Sequence, residues 1–180
     1  AEGMPGVVRI FTGKDFEGVG GLPCGWQVTD RHGEPMKEPG HPVLAQGKVR
    51  HVGDPIAAVV AETREQARDA AEAIAVEIDE LPAVIDMKAA VAEGAPLVHD
   101  DIGTNLCFDW GFVEENREAV NAAFEAAHHV TTLELVNQRM VPNAMEPRVA
   151  IGDYCSHSDE STLYTTSQNP YITRLLMGAF

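Results

Sequence analysis

The sequence predicts a mixed α/β (α+β) fold in which an α/β domain is followed by a β-rich region. An apolar, β-branched run at residues 56–61 precedes a helix-forming segment, and at Ala75 the spacing of apolar residues changes from three and four to two. Near His128 the pattern changes again, to an alternation typical of a strand. These changes divide the chain into a domain at 1–87, a linker with short helices at 88–127 and a second region at 128–180.

Composition excludes several classes of function. The 180 residues are 44% hydrophobic and 23% charged, which suffices for one large domain or two small ones. A formal net charge of −15 argues against nucleic-acid partners, and no apolar run approaches the roughly 20 residues needed for a membrane span. Three scattered cysteines without a C-x-x-C pair fit a reducing compartment, so we expect a cytoplasmic protein.

Short elements and loops are predicted ahead of the central unit. Residues 5–11 form a strand, and residues 12–16 turn out of it into a short helical or irregular segment. The glycines between 18 and 25 lack the Lys-Ser/Thr ending of a phosphate loop and the spacing of a dinucleotide fingerprint, so they predict a loop. Residues 49–52 are predicted to form a strand that leads into a Gly-Asp-Pro turn at 53–55.

The central unit is predicted to be a strand, a helix and a second strand. Residues 56–61 are typical of a strand buried on both faces, and Thr63 with Gln66 predicts a capping box at the start of a helix. Residues 76–80 alternate apolar and acidic side chains, which predicts a strand with one covered face. The helix is expected to pack on both strands through one face, made of Ala67, Ala70, Ala71 and Ile74.

Further elements are predicted after Pro82. A brief helix at 87–93 ends at Gly94, and a second helix at 117–127 turns Val120, Ala123, Phe124 and Ala127 inward. A strand at 130–136 continues through the residues up to 151, and another strand covers 163–167. Pro170 suits the first turn of a final helix, with Asn169 or Gln168 near its cap.

Two places invite a metal-binding interpretation, and neither is favoured. His51 has no second His or Cys at metal-ligand spacing, so hydrogen bonding beside the turn is the better interpretation. Residues 97–105 carry neighbouring carboxylates and one His but are more typical of a solvated bend. We assign no metal site and expect the linker at 97–115 to become ordered by lying on the rest of the fold.

Both ends of the chain suggest a fragment. An apolar run starts at residues 7–11 without an initiator Met, and the chain stops in an apolar helical stretch at 175–180. The alternative is an intact small protein whose terminal helix docks on a partner subunit.

Two sets of motifs resemble one family, the xanthine dehydrogenase/aldehyde oxidase family of molybdenum hydroxylases. The first set resembles the hammerhead domain of the large subunits and comprises Gly6-Val7-Val8, His41-Pro42-Val43-Leu44, Val52-Gly53-Asp54-Pro55-Ile56-Ala57, Ala67 through Val76 and Leu81-Pro82-Ala83-Val84. The second set resembles the opening of the molybdopterin-binding domain and comprises Met145-Glu146-Pro147-Arg148 and Thr166-Ser167-Gln168-Asn169-Pro170. The aerobic carbon monoxide dehydrogenase large subunit is the most similar type. The resemblance implies a hammerhead-type α/β domain without its opening strands, followed by the truncated β-rich beginning of the molybdopterin-binding domain.

The resemblance also implies a function. It points to part of the catalytic large subunit of a molybdenum-dependent hydroxylase that oxidises carbon monoxide, an aldehyde or an N-heterocycle with water-derived oxygen. Electrons would pass to an iron–sulfur subunit and an FAD subunit, in a dimer of heterotrimers. The molybdenum–molybdopterin cofactor belongs to the complete subunit, and we expect this chain alone to bind none and to be inactive.

Gln168 is the site residue that the resemblance implies. It matches the glutamine that lies beside the molybdenum and hydrogen-bonds its oxygen ligand, a role that suits an amide because it donates without adding charge. A simple helix cap is the alternative for Gln168, and a structural ion pair is the interpretation for Glu146 and Arg148.

The family's glycine-rich cofactor loop, substrate-selecting loop and general-base glutamate lie beyond this chain, so no catalytic residue is assigned. A standalone, non-enzymatic α/β interaction module that binds a protein partner is the alternative function.

Overall fold

The fold mixes helices and strands, as the sequence predicts. The computed structural model describes residues 1–111, 116–138, 140 and 143–179. The chain divides into two compact units, Ala1–Glu115 and Asn116–Phe180. In chain order the elements are strand β1 (Val7–Thr12), a 3₁₀ helix (Gly13–Phe16), strand β2 (Ala57–Ala61), helices α1 (Arg64–Glu72), α2 (Met87–Ala90) and α3 (Arg117–Ala126), strands β3 (Ala150–Cys155) and β4 (Glu160–Thr165), and helix α4 (Pro170–Met177).

The first unit is organised around an antiparallel pair of strands. β1 pairs with β2 from Val7 opposite Ala61 to Thr12 opposite Ala57, with a bulge between Val7 and Arg9. Both strands were predicted, but the expectation that β2 is buried on both faces is wrong, since Val60 is 43% exposed. The pair forms a two-stranded sheet, so only the face under α1 is covered.

Helix α1 begins with the predicted capping box. The Gln66 amide donates to Thr63 Oγ1 at 3.2 Å, and the Thr63 amide donates to Gln66 Oε1 at 3.1 Å. Gly6 has φ 76°, a left-handed conformation that favours glycine, and it lies beside the Gln66 side chain just before β1 begins.

The buried face of α1 is narrower than predicted. Ala70 is fully buried, and Ala67 and Ile74 are half-buried, as expected. Ala71 is exposed and was wrongly placed on this face. The helix lies mainly against β2 and touches β1 less, so a two-stranded sheet contacts only a narrow stripe of it.

Several predicted strands are irregular in the structure. Residues 49–52, 76–80 and 130–136 form no strand, and neither do the described residues between 137 and 149. Val76 and Ile78 are 48% and 62% exposed. Alternating side chains show only which residues can share a face, whereas a strand also needs a second backbone to pair with. Arg139, Val141 and Pro142, which belong to the predicted continuation, lie outside the described residues.

The turns and short helices agree with the sequence-based predictions more closely than the strands do. Residues 17–25 are a loop, and Gly53 has φ 93° within the predicted turn. Helix α2 is shorter than predicted, because Asp86 caps it through the Ala89 amide at 2.7 Å and it ends at Ala90. None of the helices in the described parts of the chain has the length and apolar character that crossing a bilayer requires.

The acidic passage at 97–105 lies on the rest of the first unit. Asn105 holds it from inside, since its Oδ1 accepts from the Val98 amide at 2.9 Å and its Nδ2 donates to Ala90 O at 2.9 Å and Pro96 O at 2.8 Å. Lys48 Nζ lies 2.6 Å from Asp100 Oδ2 across the unit. The described part of the linker predicted at 97–115 is therefore ordered by contacts with other segments, as predicted, and residues 112–115 lie outside the described residues.

The second unit is a hairpin with two helices. β3 pairs with β4 from Ala150 opposite Thr165 to Cys155 opposite Glu160, and Asp159 has φ 56° in the connection. The inward face predicted for α3 is wrong, since Val120 and Phe124 are 49% and 60% exposed. Of the residues described in this unit, only Thr173 and Leu176 are even half-buried.

We expect Ala70→Leu to destabilise the first unit by about 1–3 kcal/mol, because three extra carbons must enter a fully buried position between α1 and β2. Denaturant unfolding followed by tryptophan fluorescence measures this unit alone, since both tryptophans, Trp26 and Trp110, lie in it. Ala71→Leu is the matched control and should change the free energy of unfolding by less than about 0.5 kcal/mol. Equal effects of the two variants would contradict the packing described here.

Asn105→Ala should release the 97–105 passage, because it removes three hydrogen bonds worth about 1 kcal/mol each. Hydrogen exchange at the Val98 amide should accelerate at least about tenfold. Asn105→Asp keeps the acceptor for Val98 and loses the two donated bonds, so its effect should fall between the wild type and Asn105→Ala. An unchanged exchange rate in Asn105→Ala would show that other contacts hold the passage.

Candidate functional site

Gln168 lies at the corner where β4 ends and α4 begins. Its side chain is exposed and makes no hydrogen bond to any described residue. The helix cap is Asn169, as the sequence allowed, and the Asn169 side chain makes no cap hydrogen bond either. The alternative in which Gln168 serves as the helix cap is therefore not observed, and its carboxamide is available to a ligand.

Neighbouring hydroxyl groups hold this corner. Ser167 Oγ accepts from the Asn169 amide at 3.0 Å and lies 2.9 Å from Thr173 Oγ1, which donates to Asn169 O at 3.1 Å. Pro170 occupies the first helical turn, where a missing N–H costs nothing. Polar residues on both sides of Gln168 thus fix the backbone and leave the glutamine side chain unused.

Glu146 and Arg148 do not form the predicted ion pair. Both side chains are exposed, and no carboxylate of a described residue lies within 4.0 Å of the Arg148 guanidinium. In a strand, residues separated by two positions point to the same side. The segment of Glu146 and Arg148 is irregular, so no strand aligns their side chains.

His51, one of the two places considered for a metal, contacts residues near it in sequence. His51 Nδ1 lies 3.1 Å from Val52 O, and its Nε2 is 4.0 Å from Asp54 Oδ1. In the described part of the chain, no three His, Cys, Asp or Glu side chains come together as metal ligands would.

Cys155, at the end of β3, has a thiol with a lowered pKa that the sequence pattern did not reveal. The Ser158 hydroxyl lowers the pKa of the Cys155 thiol, and the backbone N–H groups of Ser158 and His157 lower it further. The other two cysteines act as donors instead, Cys24 Sγ to Trp26 O at 3.3 Å and Cys107 Sγ to Lys37 O at 3.0 Å. The groups that lower the pKa of Cys155 lie in the connection between β3 and β4, and a single cysteine in a sequence does not reveal such neighbours.

A polar cleft of about 290 Å³ in the first unit was also missed. Arg50, His99 and Asp101 line it, and Arg50 is separated from the other two by about fifty residues in sequence. Burial lowers the pKa of His99, and the Arg50 and Lys48 charges lower it further, against the opposing effect of Asp101 and Asp100. The net effect lowers the pKa of His99 and favours its neutral form.

The chain matches two known domain families. The sequence pattern of the family described as aldehyde oxidase and xanthine dehydrogenase, a/b hammerhead domain, matches residues 1–82. The pattern described as molybdopterin cofactor-binding domain matches residues 98–180. Together they cover most of the chain without overlapping.

Curated relatives match along nearly the whole chain. The nicotine 6-hydroxylase large subunit of Paenarthrobacter nicotinovorans is 29% identical over 100% of this chain and 21% of its own length. The carbon monoxide dehydrogenase large chain of Hydrogenophaga pseudoflava is 29% identical over 97% of this chain and 22% of its own. A probable xanthine dehydrogenase subunit of Bacillus subtilis is 35% identical over 99% of this chain and 22% of its own. The chain thus spans about a fifth of the length of these relatives.

A solved structure agrees with the fold. Quinoline 2-oxidoreductase from Pseudomonas putida superposes with a TM-score of 0.78 at 28% identity, over 99% of this chain and 22% of that one.

We expect Cys155 to be alkylated by iodoacetamide faster than Cys24 and Cys107 at pH 7 to 8, because a lowered pKa raises its thiolate fraction. All three thiols are exposed, so the other two serve as internal controls, resolved by mass spectrometry of tryptic peptides. Ser158→Ala should slow the reaction at Cys155 and leave the other two unchanged. Three equal rates in the wild type would contradict the assigned cause.

Proposed function

We propose a molybdenum hydroxylase role for this chain, on the premise that the chain belongs to the xanthine dehydrogenase and aldehyde oxidase family of molybdenum hydroxylase large subunits. The observation that carries the proposal is the succession of a hammerhead-domain match and a molybdopterin-domain match in one chain. In this proposal residues 1–87 form the hammerhead-type domain, 88–127 the linker and 128–180 the first part of the cofactor-binding domain.

The amount of exposed surface supports a role within a larger subunit. The chain exposes 16030 Å². A compact protein of 19.4 kDa exposes about 8,500 Å², and two separate compact bodies of half that mass expose about 10,000 Å². The excess includes large apolar side chains on every element of the second unit, such as Phe124, Tyr164 and Leu175. Such surface is stable when further polypeptide covers it.

Gln168 is the residue that we propose to contact the cofactor. Molybdopterin-bound molybdenum, when present in the complete subunit, supplies the redox chemistry. The residues of the corner fit that group, because an exposed carboxamide without a partner among the described residues can donate a hydrogen bond without bringing charge. Ser167 and Thr173 would position the Gln168 backbone, and Gln168 Nε2 would be the donor.

The complete enzyme, in this proposal, oxidises a small substrate such as carbon monoxide, an aldehyde or an N-heterocycle. Electrons leave through an iron–sulfur subunit and an FAD subunit in the cytoplasm, in a dimer of heterotrimers. The names of the relatives support this range, since they include a nicotine hydroxylase, a carbon monoxide dehydrogenase and a probable xanthine dehydrogenase.

In the complete subunit, Gln168→Ala should leave folding nearly unchanged and reduce turnover by roughly tenfold to a thousandfold, as expected for losing one positioned donor. Turnover would be measured by dye reduction with carbon monoxide, an aldehyde and an N-heterocycle, alongside molybdenum content and thermal midpoint. Asn121→Ala, which removes an exposed amide from α3, is the control and should keep full turnover.

Two outcomes would overturn parts of this proposal. Normal turnover of Gln168→Ala at normal molybdenum content would remove Gln168 from the site and leave the family role intact. A complete wild-type subunit that contains no molybdenum would contradict the hydroxylase role itself and favour the interaction module.

A further inference from the structure

The polar cleft in the first unit contains an arginine, Arg50, that forms no close ion pair with a described carboxylate, although its charge interacts with Asp100 at longer range and lowers the Asp100 pKa. Arg50 is half-buried, its Nε donates to Val98 O at 3.3 Å and its Nη1 donates to Lys48 O at 3.4 Å. No carboxylate of a described residue lies within 4.0 Å of its guanidinium, whereas Arg9, Arg31 and Lys48 each have one. The chain carries 28 acidic and 13 basic residues, so carboxylates are in excess, yet none lies within ion-pair distance of Arg50 among the described residues.

The Arg50 side chain is also held in place. Two backbone carbonyls anchor the guanidinium, and the Arg50 amide donates to Asp54 Oδ2 at 3.0 Å. Nη2 makes no hydrogen bond to a described residue. A fixed guanidinium with unused donors matches the geometry of a carboxylate or a phosphate and loses little side-chain entropy when it binds one.

We propose that this cleft binds a small oxyanion through the Arg50 guanidinium, with the His99 imidazole as a second hydrogen-bond donor. His99 is half-buried in the cleft wall, and neither ring nitrogen bonds to a described residue. A neutral imidazole offers one hydrogen-bond donor, and the positive charge that balances the anion comes from Arg50. The site is separate from Gln168 and does not depend on the proposed function.

The size and charge of the cleft define the class of ligand. About 290 Å³ lies just below the range of about 300–1,000 Å³ that holds drug-sized ligands, so an anion of a few heavy atoms fits. Asp101 also lines the cleft, and its charge opposes that of the ligand. Binding should therefore be selective for small anions and weakened by Asp101.

His99 provides a built-in reporter for occupancy. Arg50 and Lys48 lower the pKa of His99, while Asp100 and Asp101 raise it. An anion on Arg50 offsets the positive charge beside the imidazole and stabilises the imidazolium, so binding should raise the pKa of His99. His41, which also lines the cleft, should be followed in the same spectra to separate the two imidazoles.

The test is a titration of the full 180-residue chain with acetate and, separately, with inorganic phosphate, at constant ionic strength maintained with chloride. We expect saturable shifts of the Arg50 Nε–H and His99 ring resonances in NMR spectra, together with a rise in the pKa of His99. Tighter binding of acetate assigns the site to carboxylates, and tighter binding of phosphate assigns it to inorganic oxyanions. Shifts that never saturate with either anion would overturn the proposal.

Variants test whether anion binding requires Arg50 itself or only the positive charge of the protein surface. Arg50→Gln should weaken binding about tenfold or more, as expected for losing charged hydrogen bonds. Arg64→Gln, which removes an exposed charge from α1, should leave binding unchanged. Asp101→Asn should tighten binding several-fold, a gain that a misfolded variant could not produce. Equal losses in the Arg50 and Arg64 variants, or weaker binding in Asp101→Asn, would overturn the proposal.

Discussion

The pairing of β1 with β2 is the constraint on which the first unit depends. It joins residues that are about fifty positions apart, so the whole segment from the 3₁₀ helix to Pro55 becomes a loop with fixed ends. Close backbone contacts inside that loop then become possible. A Cβ on Gly13 would lie 2.2 Å from Ala45 O, so only a glycine allows the 3₁₀ helix to lie against this segment. Seven of the nine residues that line the Arg50 cleft lie within this loop.

The sequence predicted best those features that are complete within a few residues. The Thr63–Gln66 capping box, the turn at Gly53 and the position of Pro170 each satisfy their own backbone groups locally, so short patterns suffice to identify them. Residues 76–80 and 130–136 failed because alternation does not identify a pairing partner. Asn105 and Arg50 could not be found at all, since their partners are distant in sequence. Gln168 came from a motif match, and its corner position is consistent with that match.

The two units are stabilised by different means. In the first, long-range polar contacts such as Lys48 with Asp100 and Arg31 with Asp109 tie irregular segments to a small packed pair of strands. Each exposed pair contributes little by itself, so the ladder and the buried Ala70 must provide most of the cooperativity. The second unit has a regular hairpin and apolar helices, but its apolar side chains are exposed. A two-stranded hairpin is only marginally stable by itself, so the regular backbone of this unit does not account for its stability.

At the corner of Gln168, the neighbouring residues provide the hydrogen bonds that stabilise the backbone. Ser167 and Thr173 supply the hydrogen bonds that hold the start of α4, and Pro170 removes one donor that would otherwise need a partner. The Gln168 side chain is exposed and makes no hydrogen bond to a described residue, and it occupies the position where a strand ends and a helix begins. Polar groups at such positions are not consumed by ladders, and they can be directed at a ligand. The neighbours fix the backbone of the corner, whereas the exposed Gln168 carboxamide has no hydrogen bond to a described residue that a ligand would have to break.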